Sequence, residues 1–510
     1  MSIGTRVIKN SSYLYARMAI TMFISLYTTR LILAALGESE FGIYNVVGGA
    51  IGMLGFLNAA MASATQRFMS YTEGTGDKER VKIIFNVSIL IHAALSIIAI
   101  IALLIVGHFL FKGILNIPLN NLPSAKIVYV CMVVSTAFSI ISVPYEAVLN
   151  SHENMRYYAI VGFVESLLKL AIAIIVTKYS QDRLVLYGIL MAIIPFITLL
   201  IMQIYCHRKY SECIVKPKRY ASKSVCKEMV SFAGWNIFQI AASILTNSGL
   251  GIVINMFFGT VINAAQGISN TICGQLMALT NVLNKAMSPI ITKTEGSHDR
   301  QKVLQISVTS TKASYFLTAI IGLPAIIVMP DLLNLWLKEV PPYAIFFARC
   351  QMIISLCEQM TAGFTTAISA TGNIKRISIW KSIFKLSVLP IIYILFNFGY
   401  SVIIAYILLV IIQGAINGII TTVFCTEIVL KFKMIDYFKI VFIPLILSSV
   451  VVLLSGIILL KVIGNGIISV LVVGIVSVVT SFVSFYFISL TSSEKNLVVS
   501  AVMAMKSKLH

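Results

Sequence analysis

Hydrophobic residues in this chain are grouped into runs of about 20 residues, each long enough to cross a hydrocarbon core of about 30 Å as a helix. The runs recur from Tyr13 almost to the C-terminus. Membrane-spanning strands would be half as long and would alternate in polarity, so the pattern predicts helices. We therefore predict an all-α polytopic membrane protein with about fourteen transmembrane helices. The predicted spans are residues 13–36, 41–64, 83–110, 124–149, 157–177, 184–205, 229–257, 261–284, 307–330, 343–369, 377–397, 401–424, 440–460 and 466–490.

Composition agrees with this prediction. Hydrophobic residues make up 58% of the 510 residues and charged residues only 11%, whereas a typical soluble protein has about 25% charged residues. The net charge of +20 would suggest a nucleic-acid partner for a soluble chain. In a membrane protein, the distribution of these charges between the two sides of the membrane indicates the orientation of the chain instead. We therefore expect no nucleic-acid partner. The eight cysteines form no C-x-x-C motif, and neither a metal nor another cofactor is expected.

The charges between the spans predict the orientation. With the N-terminus in the cytoplasm, most of the 39 Lys and Arg residues fall on the inner side, which predicts that both termini are cytoplasmic. The largest inner segment, 206–228, is strongly basic, and nearby anionic lipid explains its charge without a ligand. The outer loops are too short for a catalytic domain, so no catalytic residues are expected. The basic residues assigned to the outer loops are Lys112, Lys126, Lys178, Arg183, Lys338 and Lys461.

The first half of the chain repeats in the second half. A shift of 222 residues places Gly37 on Gly259, after equivalent spans, and a shift of 218 continues the match. Spans 1–6 therefore repeat as spans 7–12, and because six is even, the two halves are parallel repeats related by an axis along the membrane normal. The further matches are Thr72-Glu73-Gly74 on Thr294-Glu295-Gly296, Asp77 on Asp299, Val81 on Val303 and Leu115-Asn116 on Leu333-Asn334.

The repeat defines the expected domains and suggests a mechanism. We expect an N-lobe at 1–205, a basic cytoplasmic linker at 206–228, a C-lobe at 229–424, and spans 13 and 14 with a cytoplasmic tail at 425–510. Two six-helix bundles that face each other across a cleft are typical of transporters that work by alternating access. The first twelve residues are polar and lead directly into a span, so no cleavable signal peptide is expected.

Charged residues inside the spans are the candidate binding residues, because each charge at mid-bilayer costs about 2.5–3.5 kcal/mol. Their sum is positive, which suits an anionic head group. Glu146 and Lys312 lie near inner ends and are expected to snorkel to the interface. The candidates for a cationic cleft are Arg17, Arg30, Lys169, Arg349 and Lys385, and those for ion pairing or coupling are Glu165 and Glu358.

Span 5 and its repeat partner, span 11, each contain a candidate lysine. Glu165 and Lys169 are four residues apart on one helical face and can pair locally. Lys385 lies at a comparable depth in span 11, the repeat partner of span 5. Polar residues of spans 7 and 8 can either contact glycan hydroxyls or form helix–helix hydrogen bonds, and the sequence leaves both open. These residues are Asn236, Gln239, Asn247 and Gln275.

Several phrases resemble the Wzx-type O-antigen and polysaccharide flippases of the multidrug/oligosaccharidyl-lipid/polysaccharide (MOP) exporter superfamily. The resemblance covers nearly the whole chain and is clearest in its first 170 residues. The phrases are Tyr13-Leu14-Tyr15-Ala16-Arg17, Glu40-Phe41-Gly42-Ile43-Tyr44-Asn45, Ser63-Ala64-Thr65-Gln66-Arg67-Phe68, Ile141-Ser142-Val143-Pro144-Tyr145 and His152-Glu153-Asn154-Met155.

The resemblance implies a bacterial inner-membrane protein that moves an undecaprenyl-diphosphate-linked oligosaccharide to the periplasmic leaflet. It also implies basic residues in a central cavity and partners such as a polysaccharide polymerase and chain-length machinery. A multidrug/cation antiporter of the same superfamily is the alternative, although span 1 has two arginines and span 7 has no charge, which suits cationic drugs poorly. A membrane-bound glycan polymerase or ligase is disfavoured by the short outer loops.

Overall fold

A computed structural model describes residues 3–52, 55–114, 117–337, 339–464, 466–492 and 494–496. All regular structure in these ranges is helical, which confirms the predicted fold class. The predicted repeat at Leu115-Asn116, the predicted outer-loop residue Lys338 and the tail from residue 497 lie outside the described residues. The helices are α1 Ile3–Gly52, α2 Gly55–Thr75, α3 Lys78–Phe109, α4 Leu122–Ser151, α5 Met155–Lys178, α6 Arg183–Lys209, α7 Pro217–Tyr220, α8 Lys223–Gly296, α9 Arg300–Ile327, α10 Met329–Trp336, α11 Ala344–Gln359, α12 Ala362–Thr371, α13 Lys375–Asn397, α14 Val402–Leu409, α15 Thr421–Leu430, α16 Met434–Tyr437, α17 Ile443–Ile463 and α18 Ile467–Ser484.

The helices account for about fourteen crossings, as predicted. Eleven segments of the described chain are long and apolar enough to cross a membrane by themselves. The number is lower than fourteen because α8 contains both predicted spans 7 and 8 in one 74-residue helix. Predicted span 10 is divided between α11 and α12, and predicted span 2 begins in α1 and continues in α2.

Two glycines at equivalent positions break the long helices. Gly37 interrupts α1 with φ 73° and ψ 171°, and Gly259 interrupts α8 with φ 78° and ψ −175°. These two residues are paired by the 222-residue shift of the sequence repeat. Only glycine adopts positive φ without a steric penalty from Cβ. Both positions therefore require glycine for the same reason.

A second pair of equivalent residues starts the helix that follows. Asp77 caps α3 by accepting a hydrogen bond from the backbone N–H of Arg80 at 2.9 Å, and Asp299 caps α9 by accepting one from the N–H of Lys302 at 3.1 Å. Each cap satisfies one of the free donors of a helix N-terminus. The repeat is therefore present in local structure and not only in sequence.

Contacts divide the chain into two compact units. One extends from Lys9 to Ile237, and the other contains the chain from Phe238 onwards together with the first eight residues. In the first unit, α1, α3, α4, α5 and α6 enclose a core that includes Leu103, Val128 and Val176. The close approach of α6 to α4 depends on Gly188, where a Cβ would lie 2.9 Å from the side chain of Val128.

The core of the second unit is built around α11. Phe347 stacks on Tyr406 of α14 with ring centroids 3.7 Å apart, and both residues are buried. Between α14 and α15 the helix widens into a π-helical segment, Val410–Ile420, in which Gly414 faces Cys357 of α11. The last helix, α18, packs against α9 in a separate small cluster of buried residues.

Candidate functional site

In the first unit, Arg17 lies beside an aromatic ring. It lies on α1, and its guanidinium carbon is 4.5 Å from the centroid of the Tyr158 ring on α5, the geometry of a cation–π contact. Gly162, one turn further along α5, leaves the space for this side chain, because a Cβ at that position would overlap the guanidinium. Arg17 forms no ion pair with any described residue.

Arg17 lines a cavity of about 260 Å³ inside the first unit. Tyr158 and Gly162 line it, and so do the carboxylates Glu146 and Glu165. Glu146 was expected to snorkel to the interface, but it lies on the cavity wall and accepts a hydrogen bond from Ser142 at 3.3 Å. The cavity therefore combines one cation without a salt bridge and two acidic side chains.

The local pair predicted on α5 forms in the structure. Lys169 Nζ is 2.6 Å from Glu165 Oε1, and the two side chains are 40% and 34% exposed. Lys169 therefore has a carboxylate counter-ion, and its side chain is only partly buried.

The second unit contains a similar pair. Lys385 on α13 donates a hydrogen bond to the hydroxyl of Ser243 at 2.9 Å and lies 4.0 Å from Glu358 Oε1 on α11. Its backbone carbonyl also accepts a hydrogen bond from Thr246, which fixes α13 against α8. One turn earlier on α13, Lys381 lies 3.4 Å from the hydroxyl of Thr365. Each unit thus has an intramembrane lysine beside a glutamate.

The polar residues of spans 7 and 8 have different surroundings. Gln239, Ser243 and Asn247 follow one another at intervals of four residues and form one stripe of α8, with Lys385 bound at its middle. Asn247 and Gln275 are exposed. In the first unit, Asn236 donates to Ser63 at 3.5 Å, which is the helix–helix alternative left open by the sequence.

Two predicted cations lie apart from these pairs. Arg349 donates hydrogen bonds from Nε to the carbonyl of Ile326 at 2.9 Å and from Nη2 to that of Ile327 at 3.3 Å. These are the last carbonyls of α9, which have no partner within the helix, so Arg349 caps that helix. Arg30 is exposed on α1. For both residues a direct contact with substrate stays a prediction.

Lys312 does not snorkel, contrary to the expectation from its position. It is 1% exposed, and its ammonium nitrogen lies 2.8 Å from Glu494 Oε2, which is also buried. The hydroxyl and backbone N–H of Thr491 donate to the same oxygen. The segment that follows α18 is therefore bound to α9 by a buried, hydrogen-bonded ion pair.

A histidine cluster in the first unit was not found from the sequence. The ring of His152, in the turn after α4, has Glu73 Oε1 3.5 Å from Nδ1 and Glu212 in contact with Nε2. Tyr210 stacks on the same ring with centroids 4.2 Å apart. Ligand atoms of the imidazole and the two carboxylates lie within 4.8 Å of one another, so they could hold a metal ion, and they tie α2 and the basic linker to α4.

The fold is that of a transporter of the MATE type. A MATE structure in the bent conformation superimposes with a TM-score of 0.73 at 12% identity, covering 84% of this chain and 99% of that one. An outward-facing multidrug resistance MATE family transporter of the MOP superfamily gives 0.71 at 12% identity, with coverage of 85% and 100%. A MOP superfamily transporter from Pyrococcus furiosus, described as having a binding pocket of reverse polarity, gives 0.68 at 12%, with coverage of 85% and 100%.

The sequence itself identifies the family. Residues 7–295, more than half of the chain, match the family described as "Polysaccharide biosynthesis protein", and the chain belongs to that family. No curated protein matches the chain. The protein is therefore a multi-pass membrane protein with a transporter fold, and its family confirms the predicted relationship to the polysaccharide flippases.

Proposed function

We propose that the protein is a flippase that moves an undecaprenyl-diphosphate-linked oligosaccharide from the cytoplasmic to the periplasmic leaflet of the bacterial inner membrane by alternating access. The observation that carries the proposal is the presence, in each unit, of a lysine within a membrane span beside a glutamate. Such cations are costly in a bilayer and are retained where they contact a ligand or line a hydrated path. In a polysaccharide biosynthesis protein, the anion they suit is the diphosphate of the lipid carrier.

Arg17, Lys169 and Lys385 are the residues we propose to bind the diphosphate. Arg17 offers a planar group with several donors and no carboxylate paired with it among the described residues. Within the same part of the chain, Lys169 is paired with Glu165, and Lys385 contacts Ser243 and Glu358. A diphosphate can take the place of the glutamate beside a lysine, because phosphate oxygens make strong charge-assisted hydrogen bonds. The glutamates would hold the lysines in position before the substrate binds.

Glycan contacts are proposed for the α8 stripe. Gln239 and Asn247 flank Ser243, which holds Lys385, so amide groups lie on both sides of a cation on one helix face. Amides can donate to and accept from sugar hydroxyls. Gln275 of the same helix is exposed and is proposed for the same role, as is Asn236 in the first unit.

The test uses cells whose surface polysaccharide depends on this protein. Lys169→Gln and Lys385→Gln should each reduce export about 10- to 100-fold, since a hydrogen bond to a charged group contributes about 1.5–3 kcal/mol. Lipid-linked oligosaccharide should accumulate in the cytoplasmic leaflet while the protein level in the membrane is unchanged. Lys178→Gln, at the exposed end of the same helix as Lys169, is the matched control and should export normally.

Normal export in both lysine variants would refute the cationic site. A multidrug antiporter would give a different result, in which overexpression protects cells against cationic dyes and surface polysaccharide does not depend on the protein. Glycosyl transfer by the purified protein would instead indicate an enzyme.

A further inference from the structure

A second cavity of the first unit lies where three candidate spans end. It measures about 390 Å³ and is lined by residues at the start of α5, the end of α6 and the first turns of the Lys9–Gly37 span. Because the apolar segments begin or end at Lys9, Met155 and Lys209, the cavity lies at the level of the lipid head groups. The orientation predicted from the sequence places this level on the cytoplasmic side.

The cavity is positively charged. Lys9, Arg156 and Lys209 line it, and Glu153 is the one acidic residue among its lining residues. Neither Lys9 nor Arg156 forms an ion pair with a described residue. Three cations against one carboxylate favour an anionic occupant, as in phosphate sites built from Lys and Arg.

Aromatic rings lie beside one of these cations, Lys209. The rings of Tyr157 and Tyr205 are stacked with centroids 3.6 Å apart, and Lys209 donates to the Tyr205 hydroxyl at 2.8 Å. The side-chain amide of Asn154 donates to the hydroxyls of Tyr205 and Tyr210 at 2.8 and 2.9 Å. Burial raises the pKa of Tyr210 to about 12, so this hydroxyl stays protonated at physiological pH.

A buried polar side chain lies beside these cations. Asn10 is 6% exposed and is one of the residues that line the cavity. Its side-chain amide can donate a hydrogen bond to an anion held by the cations. Ile160, which is 46% exposed, forms an apolar border of the same cavity.

We propose that this cavity binds the phosphate-bearing head group of a membrane lipid. The phosphate oxygens contact Lys9, Arg156 and Lys209 and accept a hydrogen bond from Asn10, and the lipid chain leaves past Ile160. A diphosphate lipid carrier and an ordinary anionic phospholipid share this chemistry. That the carrier is the occupant rests on the proposed function, whereas the phosphate site itself does not. A carrier bound here would be held at the membrane surface before it reaches the deeper cations.

Binding is tested with the purified full-length protein in detergent, by native mass spectrometry of its lipid adducts. The probes are undecaprenyl diphosphate, phosphatidylglycerol and soluble inorganic pyrophosphate. Arg156→Gln with Lys209→Gln should weaken binding of the lipid occupant at least tenfold, because each cation near the surface contributes about 1 kcal/mol. Asn10→Leu should weaken it with no change in charge. The matched control, Lys218→Gln with Lys223→Gln, removes two exposed charges from the basic linker and its junction with α8 and should bind as the wild type does.

The outcomes separate the two lipid sources from each other and from non-specific attraction. If the cavity variants lose binding of undecaprenyl diphosphate selectively, the cavity is a carrier site. If they lose binding of phosphatidylglycerol selectively, it is a phospholipid site. Equal losses in the cavity and linker variants, or unchanged binding in both, would overturn the proposal, as would tight binding of pyrophosphate alone. None of these readouts depends on export, so failure of the cavity is distinguishable from failure of the flippase function.

Discussion

Replacing Glu494 with glutamine removes one charge from the buried pair that joins the segment after α18 to α9. Lys312 would then keep its charge at 1% exposure with no carboxylate beside it. Removing one partner of a buried ion pair costs about 3–5 kcal/mol, because the remaining charge has lost both water and its counter-ion. We expect the lower end of this range, since the glutamine amide can still accept hydrogen bonds from Thr491.

The measurement is a double-mutant cycle on the free energy of unfolding in mixed detergent micelles, followed by circular dichroism. The cycle consists of Lys312→Met, Glu494→Leu and the two together. Each single variant should destabilise the protein, because one charge of the pair is then left buried and unpaired. Lys312→Met combined with Glu494→Leu should recover most of the loss, since apolar residues can replace a buried pair at little cost. Lys461→Met removes an exposed lysine from the end of α17 and should change stability by less than about 0.5 kcal/mol.

Two results would refute this reasoning. One is a loss below about 1 kcal/mol in both single variants, which is the size expected of an exposed pair. The other is strict additivity in the double variant, which would show that the two side chains do not interact.

Three further predictions concern glycines and the histidine cluster. Gly162→Ala should reduce glycan export by displacing the guanidinium beside it, while stability changes little, because the displaced group is the end of a flexible side chain. Gly37→Ala and Gly259→Ala should each lower the free energy of unfolding by about 1–2 kcal/mol, since alanine is disfavoured at positive φ and no neighbour lies within 4 Å of the new Cβ. Glu212→Gln should weaken the contact with His152 and make the basic linker more sensitive to limited proteolysis.

Two of these predictions have a matched control. Gly42→Ala, in the helical part of α1 with open space around it, should be neutral or stabilising, so equal losses there would contradict the conformational argument. Glu79→Gln removes a carboxylate whose side chain is 64% exposed and should leave proteolysis unchanged. Export that survives Gly162→Ala would show that the position of Arg17 is not important for transport.

Local features of the fold could be predicted from the sequence because they depend on residues close together in the chain. The spans follow from the length of apolar runs, and the Glu165–Lys169 pair follows from a spacing of four residues on one helix. The repeat pairs Gly37 with Gly259, and both residues break a helix, since identical residues after equivalent spans meet the same backbone requirement.

Contacts between distant segments could not be predicted in this way. Lys312 and Glu494 are separated by 182 positions, and hydropathy places Lys312 only near the end of a span. The acceptors of Arg349 are backbone carbonyls, which every residue has, so no sequence pattern reveals them. His152 lies within a recognisable phrase, but its partners come from two other segments, and their proximity depends on the packing of α2 and the linker.

The glycine breaks in α1 and α8 have a mechanical consequence. A connection of one residue contains no spare length, so the helical stretches before and after Gly37 cannot separate, and the same is true at Gly259. Any rearrangement during a transport cycle must therefore carry both stretches together or turn about the two soft dihedrals of a single glycine. The freedom of the first span to turn relative to the second, and of the seventh relative to the eighth, is therefore concentrated at these two glycines.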